Sequence, residues 1–135
     1  MPNYVVDTHA LLWYLTDSQQ ISRPAKAIFR AAESGRATII ISIIVLLETL
    51  DILEKKKVAF DFDVLLNKIT KSDAYLIQDL DMPLLAKLKE IKVGLELHDR
   101  VIVASAKIWS AKIVTKDNLI HQEFPDMAIW WFALW

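Results

Sequence analysis

The run Ala37-Thr38-Ile39-Ile40-Ile41-Ser42 limits what this chain can become more than any other stretch. It is apolar and β-branched without alternation, the pattern of a strand buried on both faces. Such strands belong to parallel sheets covered by helices on either side. Tyr4-Val5-Val6, Ala74-Tyr75-Leu76-Ile77-Gln78 and Ala111-Lys112-Ile113-Val114-Thr115 give related signals, and Met127-Ala128-Ile129-Trp130 reads as an edge strand.

Helical patterns separate these runs. The first covers Ala10 to Leu15. The second opens on Ser22-Arg23-Pro24, closes at Gly35, and offers Ala27, Ile28, Ala31 and Ala32 as its packing face. A third, capped by Ser42, runs from Ile43 to Lys56, with Lys55, Lys56 and Lys57 favourably placed at its negative end. Others run from Asp61 or Phe62 through Ile69, from Asp81-Met82-Pro83 to Gly94, and from Asp99 to Trp109 after a loop ending at His98. The expected architecture is α/β: one domain over residues 1–135, three layers (α/β/α), with a mainly parallel sheet of four or five strands.

Composition narrows the function classes. Zero Cys excludes disulfides and thiolate metal sites, and with two Gly a G-x-G-x-x-G dinucleotide loop is impossible. His9, His98 and His121 show no close zinc-ligand spacing; His98 reads as loop structure, and His9 stands beside Asp7. No run reaches the ~18 apolar residues that suggest a membrane span, and Asp7 and His9 interrupt the place of a signal-peptide core. A cytoplasmic, membrane-free protein is expected. The hydrophobic content of 54%, with five Trp, is high enough that some apolar surface should meet a partner. A net charge of -1 supplies no global attraction for a polyanion, so local Lys and Arg or bound cations would have to hold one.

Four carboxylates recur at comparable places. Asp7 and Asp117 follow strands, Asp99 starts a helix, and Glu48 borders the apolar face of the helix after Ile41. Singly each has an ordinary reading: Asp7 and Asp99 as helix caps, Asp117-Asn118 as a turn pair, Glu48 as a side chain reaching solvent. Together they lie where a parallel sheet puts its carboxyl edge, and there they would repel one another unless a cation compensates. An all-oxygen set suits Mg²⁺ or Mn²⁺, which can activate water against a phosphodiester. Arg100 and Lys116 would add local positive charge for the substrate.

The segments VVDTHALLWYL, ISIIVLLETL, LHDRVIVASA and IVTKDNLI, taken in order, resemble PIN-domain ribonucleases, particularly VapC toxins of toxin–antitoxin pairs. The resemblance implies a metal-dependent endoribonuclease whose four acids correspond to Asp7, Glu48, Asp99 and Asp117. Asp7 and Asp99 would bind the ion directly, with Glu48 and Asp117 completing or orienting the site. Thr8, Thr115 and Asn118, with Arg100 and Lys116, would support the ligands or touch substrate. It further implies a structured RNA substrate such as transfer or ribosomal RNA, a cognate antitoxin over the site, and a homodimer. A PIN-type nuclease for RNA processing or DNA, and a noncatalytic RNA- or protein-binding module, are the other readings. Leu11, Leu12, Trp13, Tyr14 and Leu15 exceed what one buried helix face needs, which fits an antitoxin groove or a wide core contact. The aromatic tail Ile129 to Trp135 reads as an edge strand with a packed end, or as an interface.

Overall fold

In a computed structural model describing residues 1–56, 60–91 and 94–131, the β-branched runs become five strands: β1 (Asn3–Val6), β2 (Thr38–Ser42), β3 (Tyr75–Gln78), β4 (Lys112–Val114) and β5 (Ala128–Ile129). Seven described helices alternate with them: α1 (Thr8–Leu15), α2 (Arg23–Glu33), α3 (Ile43–Lys56), α4 (Phe62–Lys71), α5 (Met82–Lys89), α6 (Leu97–Trp109) and α7 (Asn118–Glu123). The sheet runs in the order β3-β2-β1-β4-β5, every neighbouring pair parallel. Ile39, Ile40 and Ile41 point alternately to its two faces and all are fully buried, so helices cover both.

Register fixes the place of chemistry. From β1 the strand order proceeds one way through β2 and β3 and the other way through β4 and β5. The switch lies between β1 and β4, where Val6 pairs with Val114, and the next residues in line are Asp7 and Thr115. Crevices at such switch points, beyond the carboxyl ends of parallel strands, are where open α/β sheets bind ligands.

Several boundaries differ from the sequence expectation for physical reasons. α5 stops at Lys89 rather than Gly94, because Glu90 caps it and the Arg100 guanidinium donates to the Leu88 and Ile91 carbonyls at 3.2 and 3.3 Å. α6 begins at Leu97, so His98 is helical, and the cap position belongs to Glu96 instead of Asp99. α7 was concealed by its six-residue length; Asp117 caps it instead of closing a turn. The buried face of α2 is Ala25, Phe29 and Ala32, while Ala27 is exposed. Lys57 and residues 132–135 lie outside the described set, and with them the end of the aromatic tail.

Much of the apolar surplus of α1 packs into the core. Leu11 and Leu12 are buried, and Trp13, Tyr14 and Leu15 pack against the core cluster, with Tyr14 stacked on Phe29 at 4.2 Å between centroids. That is a wide core contact, and Trp13, Tyr14 and Leu15 keep part of their surface uncovered.

Candidate active site

Asp7 ends β1 and caps α1. One carboxylate oxygen accepts from the Ala10 amide at 2.8 Å, and the other accepts from the Thr115 hydroxyl at 2.5 Å. The cap and the site are therefore the same side chain, used through different oxygens. Thr115, fully buried after β4, also accepts from the Asp117 amide at 3.0 Å, which ties the two acidic corners together. Asp117 Oδ1 in turn accepts from Ile120 N at 2.9 Å and starts α7. The Thr115 carbonyl lies 2.7 Å from His121 Nε2, fixing this corner from behind.

α3 and α6 complete the arrangement. Glu48 projects from α3 and Asp99 from the first turn of α6, with His98 Nε2 between them at 3.7 Å from Glu48 and 3.3 Å from Asp99. His98 Nδ1 stands 3.6 Å from Glu96. Asp7, Thr8, His9, Trp13, Glu48, His98, Asp99, Ile102, Lys116, Asp117 and Asn118 line one cavity of about 450 Å³. All four acids singled out from sequence thus line one cavity, along with Thr8, Lys116 and Asn118; among the described residues, the group whose ligand atoms all lie within 4.8 Å of one another is Glu96, His98 and Asp99.

Arg100 does not. Its guanidinium is spent on the α5 carbonyls, and it is absent from the cavity lining. Helical geometry is the reason: one residue beyond Asp99, the side chain turns by about 100° around the axis, away from the acid and toward α5. His98 is the converse case, a residue assigned to a loop that stands within the acidic site. The signal was its position beside Asp99 in the same opening turn. Trp13 was also missed as a site residue, although it lies four positions from His9 and so on the same helical face.

The electrostatics favour a cation. Burial, foremost, raises the Asp7 carboxyl above its ordinary value of 3.8, while the Thr115 and Ala10 hydrogen bonds pull the other way. Burial likewise pushes Asp99 up to about 6, opposed by His98 and reinforced by Asp117, Glu96 and Asp7. Acids whose ionised forms are disfavoured by burial and by one another are relieved by positive charge. Carboxylates fit a hard divalent ion, and the His98 imidazole stands among them as the one nitrogen donor between Glu48 and Asp99. Replacing His98 with Gln removes an opposing influence, so the Asp99 titration should move above about 6, as read by ¹³C NMR of its carboxyl carbon. An unchanged or lowered midpoint would contradict this electrostatic picture.

Comparison with known proteins agrees with the geometry. The family profile for the PIN domain matches residues 4–123. Among solved structures, a toxin–antitoxin complex from Klebsiella pneumoniae is similar with a TM-score of 0.68 at 18% identity, covering 93% of this chain and 95% of that one. VapBC2 from Rickettsia felis, bound to a DNA fragment from their promoter, is similar with a TM-score of 0.70 at 17% identity, over 97% and 99% of the two chains. FitAcB from Neisseria gonorrhoeae gives 0.66 at 19% identity, over 94% and 96%. At these identities the likeness carries the fold. No curated protein sequence matches the chain.

Proposed function

The chain belongs to the PIN-domain family, whose members are in general nucleases, and on that premise we propose that it is a metal-dependent endoribonuclease acting as a VapC-type toxin. The observation that carries the proposal is the convergence of Asp7, Glu48, Asp99 and Asp117 on one cavity at the switch point of the sheet. Neighbours solved as toxin–antitoxin complexes support a cognate antitoxin as partner.

Asp7 and Asp99 would hold the ion directly, Glu48 and Asp117 would complete or orient its surroundings, and Mg²⁺ or Mn²⁺ is the expected occupant. When bound, such an ion supplies Lewis acidity: it acidifies water and offsets charge on the leaving oxygen. The chain's own residues prepare the place. Thr115 fixes the rotation of the Asp7 carboxylate and, through the Asp117 amide, the spacing of the two corners. Buried Thr8, whose hydroxyl has no protein partner, and exposed Lys116 and Asn118 line the same cavity and would meet substrate or its water. The substrate read from the family resemblance is a structured RNA such as transfer or ribosomal RNA.

One domain over residues 1–135 and a cytoplasmic location belong to the same proposal; among the described residues no helix is long and apolar enough to cross a membrane. Homodimerisation is supported by an apolar groove whose lining includes Ile44, Leu88 and Val101 and the exposed Met82, Leu85 and Leu97. The decisive experiment incubates purified protein with total RNA, with and without added Mg²⁺ or Mn²⁺, and maps the new RNA ends. Discrete cuts that require the ion are expected. RNA left intact with DNA cut would assign a DNA nuclease, and binding without cleavage a noncatalytic module.

A further inference from the structure

The cavity is larger than its acids need. At about 450 Å³ it lies within the ~300–1,000 Å³ range of small-molecule sites, whereas one liquid water occupies about 30 Å³. Its acidic side is built by Asp7, Glu48, Asp99 and Asp117, and its lining also includes Trp13 and Ile102, apolar groups that no hydrated ion calls for.

Trp13 is held in place. The buried Trp130 packs against it with ring centroids 5.8 Å apart and planes tilted by 58°, a contact that supports the indole from within the fold. Around the same ring stand the Lys116 ammonium, 5.7 Å from the ring centroid, and the exposed His9 imidazole at 5.4 Å. The ring is thus only half-buried, in a cavity with a cation at its side and carboxylates beyond. A flat aromatic surface beside mobile positive charge is what an unstacked base and its phosphate recognise; every base has a π-face, while the phosphate takes the cation.

Resting on the ribonuclease reading above, we propose that Trp13, with Lys116 and His9, forms a stacking platform for one unpaired base next to the scissile phosphate. The base lies on the indole in place of the Lys116 ammonium, and the freed ammonium turns to the neighbouring phosphate. Bases inside a duplex cannot reach the platform without being unstacked, so the chain selects linkages in loops, bulges or strand ends. The four acids contribute little to this choice, because they address the phosphodiester shared by every nucleotide.

The test uses the full chain carrying Asp7→Asn, to prevent turnover, with and without Trp13→Leu or Trp13→Phe. The probes are a fluorescein-labelled RNA hairpin with an unpaired loop and a blunt RNA duplex of the same composition, both in Mg²⁺, read by anisotropy. Stacking is worth about 1–3 kcal/mol per base, so Trp13→Leu should weaken hairpin binding by about 5- to 150-fold. Trp13→Phe, which keeps a π-face, should restore most of it, and the duplex should not share the loss. Thermal melting of each variant checks that the fold persists. Equal weakening of hairpin and duplex, or hairpin binding indifferent to Trp13→Leu, overturns the platform; the latter assigns the ring to a protein partner instead. RNA left uncut by the wild-type chain in Mg²⁺ or Mn²⁺ would refute the ribonuclease reading itself, a failure distinguishable from loss of the platform alone.

Discussion

Replacing Asp7 with Asn should lower RNA cleavage by more than about a hundredfold while leaving the fold at least as stable as the wild type. The rate estimate takes as its floor the 10- to 100-fold that loss of a group supporting a metal ligand typically costs. A direct ligand should cost more. Asn retains the shape and can still accept from the Ala10 amide, so the start of α1 is preserved. Its amide nitrogen can donate to Thr115 Oγ1, whose own hydrogen must then turn elsewhere, a modest penalty. Against that stands a gain. Burial raises the Asp7 carboxyl above 3.8, so the folded state disfavours the ionised form relative to the unfolded chain. The sign follows: stability drawn from the protonated form is full below the unfolded value and is lost as pH rises through the folded one. At neutral pH the wild type without metal carries that cost, and Asn does not. Melting followed by circular dichroism, alongside gel assays of cleavage, separates the two effects. A fully active Asp7→Asn protein would sink the assignment of Asp7 as a metal ligand, and an unfolded one would show that its role is chiefly structural.

That coupling of cost and use explains what could be read from the sequence. The Ile39-Ile40-Ile41 run announces a parallel sheet because burial on both faces leaves no room for a polar residue, a constraint written locally. Asp7 and Asp117 were legible for the same reason: a carboxylate directly after such a strand falls at the sheet's edge by necessity. Glu48 and Asp99 depend on helices packed against that edge, and only their company with the others drew them in. Arg100 shows the limit. Adjacent to Asp99 in sequence, it is turned toward the end of α5, whose free carbonyls are a tertiary circumstance invisible to local pattern. His98 shows the opposite error, since moving the start of α6 two residues forward from Asp99 to Leu97 converts a loop residue into a wall of the site. Six-residue α7 lacks the repeated turns that make periodicity visible, and its one strong signal, the Asp117 cap, was equally a turn signal. Trp13 was hidden by its neighbours: within Leu11-Leu12-Trp13-Tyr14-Leu15 nothing distinguishes a residue that packs inward from one that packs inward and also faces a cavity.

Cation affinity should fall by about tenfold between pH 7 and pH 5, because the ion must displace a proton from Asp99. With its carboxyl pushed up to about 6, first by burial and then by Asp117, Glu96 and Asp7 against the opposing His98, Asp99 is largely ionised at pH 7 and largely protonated at pH 5. The ionised fraction changes from about 0.9 to about 0.1, and a ligand available a tenth as often binds about tenfold more weakly. Calorimetric titration with Mg²⁺ or Mn²⁺ in two buffers of different ionisation enthalpy reads both the affinity and the proton released. Stability of the metal-free protein should respond with the opposite sign. A folded-state Asp99 that holds its proton more tightly than the unfolded chain contributes stability at low pH and loses it as pH rises from about 4 through about 6. Added cation should therefore raise the melting temperature at pH 7 and do so far less at pH 5, since mass action stabilises only in proportion to binding. Affinity that stays flat across this range would remove Asp99 from the ligand set, whatever the cleavage assays show.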